Sequence, residues 1–229
     1  MKTHRFSAVA LGVFVGLGSS APASVTTWNE AGDAGNLPAT AQVVVGVGPL
    51  QEIVGTLSPG ADADLYRIRL DAPAAFGALT EATANGGDTQ LFLFDANGRG
   101  IATNDDDPGG GLTSNLVAGN PLFTVLPAGE YLLGISWFNN DPFWSAPPLV
   151  EGDFMFPFAQ GPGEPQMVIP PTPGGAVNPL VGWIEEGNPP FAGGYTIRLK
   201  NASFVVPEPS ITTAVSLAAA FALRRRRVG

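Results

Sequence analysis

Several short segments of the chain alternate apolar and polar residues with a period of two. The clearest is "DLYRIRL", in which Tyr66, Ile68 and Leu70 fall on one face while Arg67 and Arg69 fall on the other. The segments "GEYLLGISWF" and "GYTIRLK" repeat this alternation further along the chain. A period of two is typical of a β-strand that buries one of its two faces. The pattern therefore predicts a strand at each of these three places.

A fourth segment, "QLFLFD", is apolar on both faces, which is typical of a strand in the interior of a sheet. Turn-forming pairs such as Asn97-Gly98 separate the strands, and no segment between the two ends of the chain has a sustained period of 3.6 residues. We therefore predict an all-β fold, an antiparallel β-sandwich over residues 42–204, preceded by a lead-in segment at residues 24–41.

Residues 139–190 interrupt the strand pattern with a long insertion. Of its 52 residues, 12 are proline and 7 are glycine, yet it also contains aromatic residues such as Trp144 and Trp183. Two interpretations are open. The aromatic side chains pack onto the sandwich, or they remain exposed and contact a polysaccharide or protein, with Trp144 and Trp183 as stacking platforms.

The N-terminus has the three-part layout of a secretory signal peptide. Lys2 and Arg5 precede an apolar run, and the small residues Ala21 and Ala23 follow it. This layout predicts a signal helix within residues 1–23, removed by signal peptidase after Ala23.

The C-terminal segment, residues 205–229, combines a proline-bracketed glutamate, an apolar run and an arginine cluster. The 13 apolar or uncharged residues from Ile211 to Leu223 would form a helix of about 20 Å, shorter than the roughly 30 Å hydrocarbon core of a bilayer. The pattern predicts a short helix that associates transiently with the inner membrane, its arginines on the cytoplasmic side. The residues that make up the proline-bracketed motif and the arginine cluster are Pro207, Glu208, Pro209, Ser210, Arg224, Arg225, Arg226 and Arg227.

Charge and composition exclude several classes of function. Outside the signal peptide and the arginine cluster the chain retains five basic and all 20 acidic residues, a formal net charge of −15. Such a surface repels phosphate backbones, so we expect no nucleic-acid binding.

The chain has no cysteine, and its one histidine, His4, lies in the signal peptide. Catalytic triads, thiol nucleophiles and histidine-ligated zinc are therefore excluded, and only carboxylate chemistry such as glycoside hydrolysis remains as a remote alternative.

Two groups of acidic residues have the chemistry of a calcium site, because calcium takes six to eight oxygen ligands. No cofactor is required by the sequence, and solvated acidic turns are the alternative interpretation of both groups. The first group pairs an Asp-x-Asp motif with acidic residues of the lead-in, and the second surrounds an acidic loop. They consist of Glu30, Asp33, Asp62 and Asp64, and of Asp88, Asn104, Asp105, Asp106 and Asp107.

The body of the chain resembles the bacterial pre-peptidase C-terminal (PPC) type of secreted domain. Four motifs stand in the order of that family: "GTLSPGADADLYRIRL", "DTQLFLFDANGRGIATNDDD", "LPAGEYLLGIS" and "GGYTIRL". The long insertion departs from the family pattern. The resemblance implies a jelly-roll-like sandwich that accompanies other activities and rarely carries catalysis. It also implies that calcium, where bound, is held by an N-terminal acidic segment and the Asp-x-Asp pair.

The C-terminal segment resembles the PEP-CTERM sorting signal. That resemblance implies processing by an exosortase-type enzyme and release to the cell surface or extracellular matrix of a Gram-negative bacterium. The sequence thus favours a non-catalytic exported surface or matrix protein. An extracellular polysaccharide- or protein-binding module is the alternative.

Overall fold

The computed structural model describes residues 26–82, 87–107, 109–157, 167–185 and 192–206. The predicted signal helix and the segment from Pro207 onwards lie outside these ranges. Among the described residues no helix is long and apolar enough to cross a membrane.

The chain is mostly β, with a large mixed sheet of ten strands and a small sheet of two. The strands are β1 (Thr27–Asn29), β2 (Gln42–Val43), β3 (Pro49–Leu57), β4 (Ala63–Leu70), β5 (Gly77–Ala82), β6 (Thr89–Asp95), β7 (Gly100–Asn104), β8 (Asn115–Leu116), β9 (Gly129–Trp137), β10 (Asn140–Phe143), β11 (Gly182–Glu185) and β12 (Gly193–Ser203).

Helical structure in the described ranges is limited to short turns. A four-residue helix, α1 (Pro121–Thr124), begins at Asn120, whose side chain accepts a hydrogen bond from the Leu122 amide as an N-cap does. Two 3₁₀ turns cover Pro73–Ala75 and Glu151–Asp153.

The large sheet has two parts that meet at a single pairing between Ser203 and Arg69. One part runs β1-β3-β12 and continues from β12 through β5 to β8, and the other runs β2-β4-β9-β6-β7. Most pairs are antiparallel, as predicted, but β1 runs parallel to β3 and β2 runs parallel to β4. The sheet is therefore mixed rather than antiparallel. Each parallel pair is joined by 19 residues of intervening chain, which is long enough for the crossover that a parallel pair needs.

The main hydrophobic core lies where the two parts of the sheet contribute side chains to one cluster. Ile53 and Ile197 come from β3 and β12, while Ile68, Leu133 and Leu93 come from β4, β9 and β6. The residues predicted to share the apolar face of "DLYRIRL" are all fully buried in this cluster. The period-two alternation therefore identified the core-facing positions correctly.

The described parts of the insertion pack against the opposite face of β4, β6 and β9. Met155, Phe156, Leu180 and Trp183 are buried in a second hydrophobic cluster with residues of those strands. Backbone hydrogen bonds between Ile169 and Thr103 also attach the insertion to β7. This packing explains why "QLFLFD" is apolar on both faces, since its leucines enter the main core and its phenylalanines enter the second cluster.

The lead-in segment is part of the large sheet. β1 lies within it and pairs with β3, and Ala34 is fully buried in the main core. The Trp28 indole also packs on this core, and its Nε1 donates to Gln42 Oε1 at 2.7 Å. These contacts hold the residues that follow β1 close to the start of β4.

Candidate metal centre

The chain brings acidic residues of the lead-in to the beginning of β4. Glu30 directly follows β1, Asp33 lies in the next turn, and Asp64 is the second residue of β4. Each of these three side chains offers one carboxylate oxygen, and the three oxygens all lie within 4.8 Å of one another. Asp62 lies beside them, close enough to Asp33 for the two charges to interact. The structure thus brings together the first acidic group that the sequence predicts.

Backbone amides fix the orientation of the carboxylates around Asp64. Glu30 accepts hydrogen bonds at both oxygens, from the Ala34 amide at 2.9 Å and the Thr56 amide at 2.8 Å. Asp33 Oδ1 accepts one from the Gly35 amide at 2.7 Å, and Asp62 Oδ2 accepts one from the Ser58 amide at 2.5 Å. An amide donor occupies one lone pair and leaves the carboxylate oxygen others with which to bind a cation.

These three carboxylates line an open groove of about 470 Å³, together with residues of β3 such as Thr56. The groove gives a cation and its water ligands access from solvent. Among the described residues, no lysine or arginine forms an ion pair with Glu30, Asp33, Asp62 or Asp64. The negative charge of the group is therefore not balanced by the protein side chains around it.

Asp64 is buried at the base of the group, with 1% of its surface exposed. Its Oδ2 accepts a hydrogen bond from the Tyr195 hydroxyl at 2.5 Å, and Tyr195 in turn contacts the Tyr66 hydroxyl at 2.6 Å. Its Oδ1 accepts no hydrogen bond from an N–H or O–H group of the described residues, although Asp64 also shares a side-chain hydrogen bond with Glu30, which lowers the Glu30 pKa. A buried carboxylate oxygen without a partner is costly unless a proton or a cation compensates it.

The pKa values of this group reflect the same burial. Burial raises the pKa of Asp64 to about 8, the Tyr195 hydrogen bond opposes that rise, and the neighbouring Glu30 carboxylate adds to it. Burial also raises the pKa of Glu30 and of Asp62 above their usual range, against the amide hydrogen bonds that lower them. A bound cation would replace the proton on Asp64 and remove the repulsion between the carboxylates.

The second acidic group is assembled only in part. Asp88 lies just before β6 and Asp105 and Asp106 follow β7, and these three offer oxygens within 4.8 Å of one another. Burial, followed by repulsion from Asp106, raises the pKa of Asp105 to about 8 and that of Asp88 to about 6. Burial likewise raises the pKa of Asp106.

The other two residues predicted for the second group are used in local structure. Asn104 Oδ1 accepts the Asn115 amide at 2.6 Å, and Asp107 Oδ1 accepts the Gly109 amide at 2.9 Å. Asp105 Oδ1 is buried without a partner, but the Asp105 side chain as a whole is half-buried. Each group therefore brings three carboxylate oxygens together, but the central residue of the second, Asp105, is more solvated than Asp64.

The two tryptophans predicted as stacking platforms take part in packing. Trp183 is 9% exposed, its ring contacts Phe92 edge-on at 5.2 Å between centroids, and its Nε1 donates to the Asn36 carbonyl at 2.6 Å. Trp144 is half-buried, lies against the backbone of Gly174, and donates from Nε1 to the Gly152 carbonyl. These contacts argue against a sugar-stacking role, because stacking needs an exposed ring face.

The residues predicted for processing lie outside the described ranges. They are Ala21 and Ala23 of the signal peptide and Pro207, Glu208, Pro209, Ser210, Arg224, Arg225, Arg226 and Arg227 of the C-terminal segment. The described chain ends at Val206, and the preceding residue, Val205, forms a parallel bridge with Val45.

Tyr66 and Tyr195 are the site residues that the sequence interpretation missed. One signal in the sequence could have found them. Asp64 is an even-numbered residue of β4, as are Tyr66, Ile68 and Leu70, so its side chain lies on the same core-facing side of the strand. An aspartate on the core-facing side of a strand needs a buried polar partner.

Comparison with known proteins adds nothing to this geometry, since the chain matches no protein-family model and no curated protein.

Proposed function

We propose that this protein is a non-catalytic, exported surface or matrix protein whose β domain binds calcium at Glu30, Asp33, Asp62 and Asp64. Two observations carry the calcium site: Asp64 Oδ1 is buried and accepts no hydrogen bond, and one carboxylate oxygen of Asp64 lies within 4.8 Å of oxygens from Glu30 and Asp33. Solvated acidic turns, the alternative interpretation, do not account for a carboxylate that is 1% exposed.

The donor atoms favour calcium among the common protein-bound metals. The site offers carboxylate oxygens only, and the part of the chain after the signal peptide has no histidine or cysteine to attract zinc or copper. Magnesium binds few protein oxygens and retains several waters, whereas calcium accepts many oxygens in flexible geometry. Glu30, Asp33 and Asp62 line an open groove and Asp64 is buried beside them, an arrangement that suits the larger ion, with water completing its coordination.

The test is calcium titration of the purified full chain by isothermal calorimetry, with thermal unfolding measured in parallel. Calcium modules outside the cell bind with Kd on the order of 10⁻⁴–10⁻³ M, so millimolar calcium is expected to raise the Tm and a chelator to lower it. Asp64→Asn is expected to abolish both the heat signal and the rise in Tm.

Asp71→Asn is the matched control, because Asp71 follows β4 but is exposed and contacts Arg69 and Ser203 instead of the acidic group. This variant is expected to respond to calcium as the parent does. A calcium response that survives in Asp64→Asn would contradict the assignment of this site.

The finer architecture that we propose is the jelly-roll-like β-sandwich. Its support is that both parts of the large sheet contribute to one hydrophobic cluster and meet at a single pairing. Two layers that share one core are what a sandwich requires.

The proposal that the protein is exported and sorted rests on its two terminal segments. The signal-peptide layout and the resemblance to the PEP-CTERM signal support cleavage by signal peptidase and by an exosortase-type enzyme. Intact-mass spectrometry of the protein recovered outside the cell tests this directly. The expected product lacks residues 1–23 and the Arg224–Arg227 cluster, and recovery of a product that retains all four arginines would refute the sorting role.

A further inference from the structure

The Asp64 carboxylate is held from the opposite part of the sheet. Tyr195 belongs to β12, which pairs with β4 only at Ser203 and Arg69, far along the strand from Asp64. The Tyr195 side chain crosses the core and donates its hydroxyl proton to Asp64 Oδ2 at 2.5 Å. Tyr66, two residues beyond Asp64 on β4, then supplies the hydroxyl that contacts Tyr195 at 2.6 Å.

Both tyrosines are fully buried, so their hydroxyls have no water to bond instead. Because the Tyr195 proton points to Asp64, the Tyr66 proton is the one available for the contact between the two hydroxyls. The three groups therefore form a directed chain from Tyr66 through Tyr195 to Asp64. Its end point is Oδ2, and the chain leaves Oδ1 free.

A glycine on β3 provides the space for this chain. A Cβ atom at Gly55 would lie against the Tyr195 hydroxyl and 2.8 Å from the Tyr66 hydroxyl. The next residue, Thr56, donates its amide to Glu30 Oε2 at 2.8 Å. The same stretch of β3 thus admits the tyrosine hydroxyls on one side and orients a carboxylate of the acidic group on the other.

We infer that Tyr195 is a positioning residue for the cation, holding Asp64 by Oδ2 so that its other oxygen is left for an ion bound beside Glu30 and Asp33. This inference rests on the proposed calcium site and specifies how its affinity is set. Tyr195 does not touch the cation; it acts through Asp64. Tyr66 supports Tyr195 in the same way at one step further from the site.

The expected size of the effect follows from metal sites in general. Loss of a hydrogen bond that orients a metal ligand typically lowers metal affinity 10–100-fold. In Tyr195→Phe, Asp64 loses the donor that fixes its rotation, so the Kd for calcium is expected to rise about 10–100-fold. Tyr66→Phe retains the bond to Asp64 and loses only its support, so a smaller rise, of roughly threefold, is expected.

The experiment measures calcium affinity of the full chain by calorimetry and by competition with Tb³⁺, a calcium-sized ion whose emission is sensitised by nearby aromatic rings. The variants are Tyr195→Phe, Tyr66→Phe and Asp64→Asn. Tyr131→Phe is the matched control, because Tyr131 also packs in the main core but donates its hydroxyl to the Pro127 carbonyl at 2.6 Å. Far-ultraviolet circular dichroism establishes that each variant is folded before its affinity is compared.

The expected order of calcium affinity is parent and Tyr131→Phe, then Tyr66→Phe, then Tyr195→Phe, with no binding by Asp64→Asn. A merely structural role for Tyr195 would lower the Tm in calcium-free buffer and leave the Kd unchanged, and that result would overturn the inference. If Tyr195→Phe does not fold, an unchanged Kd in Tyr66→Phe overturns it instead. Undiminished calcium binding by Asp64→Asn would refute the site itself, so failure of the site and failure of the positioning role are distinguishable.

Discussion

Asp64 makes a quantitative prediction about how stability depends on pH in calcium-free buffer. Its pKa is about 8 in the folded protein, against an ordinary value of 3.8, because burial penalises its charged form. Between these two values the folded protein retains a proton that the unfolded chain releases. The contribution of Asp64 to the free energy of unfolding is therefore highest below pH 3.8. It falls as the pH rises and levels off above pH 8.

The magnitude follows from the size of the shift. One proton corresponds to about 1.4 kcal/mol per pH unit, so at pH 7 the loss accumulated since pH 3.8 is about 4 kcal/mol. This figure is an upper limit, since relaxation around a buried charge reduces the penalty. Asp64→Asn removes the titrating group, and its amide stays neutral at every pH. The stability of this variant is expected to fall less steeply between pH 4 and pH 8, by up to about 1.4 kcal/mol per unit.

The assay is urea unfolding followed by tryptophan fluorescence at intervals of one pH unit from 4 to 8. The comparison of slopes cancels the contributions of Asp88 and Asp105, which lie in the second acidic group and have raised pKa values of their own. The difference between the two curves reports Asp64 together with Glu30, because Glu30 is hydrogen-bonded to Asp64. Saturating calcium is expected to flatten the parent curve as well, since the bound ion takes the place of the proton. Parallel curves for the parent and Asp64→Asn would refute the reasoning, because they would mean that Asp64 titrates at its ordinary pH.

Two further predictions concern packing. Gly55→Ala is expected to lower the free energy of unfolding by about 1–3 kcal/mol, because the added methyl group meets the Tyr195 and Tyr66 hydroxyls inside a filled core. Urea titration measures this change. An unchanged free energy of unfolding would contradict the described contact. Trp183→Ala is expected to lower the free energy of unfolding by about 3–5 kcal/mol and to expose the insertion to protease, because it removes the ring that packs on Phe92. Unchanged rates of limited proteolysis would show that other contacts hold the insertion.

The main features of the fold could be predicted because strand alternation reports burial directly. The inward positions of β4, β9 and β12 follow from a period of two, and the doubly apolar β6 follows from its leucines and phenylalanines. The parallel pairings of β1 and β2 could not be predicted. Both strands are two or three residues long, too short for a pattern, and their direction is set by long connections whose path depends on tertiary contacts.

The candidate site was only half predictable for a related reason. Sequence spacing could indicate that Glu30, Asp33, Asp62 and Asp64 suit a calcium ion, because oxygen chemistry is a property of residue type. It could not show that Tyr195, 131 positions away, would donate to Asp64, since that contact depends on the packing of β12 over β4. The second acidic group shows the same limit, because sequence spacing could not show that Asp88, Asp105 and Asp106 converge.

The placement of positive charge gives a final reason why the acidic group calls for a cation. Arginine ion pairs in the described chain lie elsewhere, where Arg67 contacts Glu130, Arg69 contacts Asp71, and Arg198 contacts Glu52 and Glu81. With five basic residues outside the signal peptide and the arginine cluster against 20 acidic ones, most carboxylates have no arginine or lysine partner, and exposed ones are screened by water and salt. Asp64 lacks that screening because it is buried. Its charge must therefore be removed by a proton or balanced by a bound ion, and the calcium ion that we propose would cancel the repulsion that each carboxylate adds to the next.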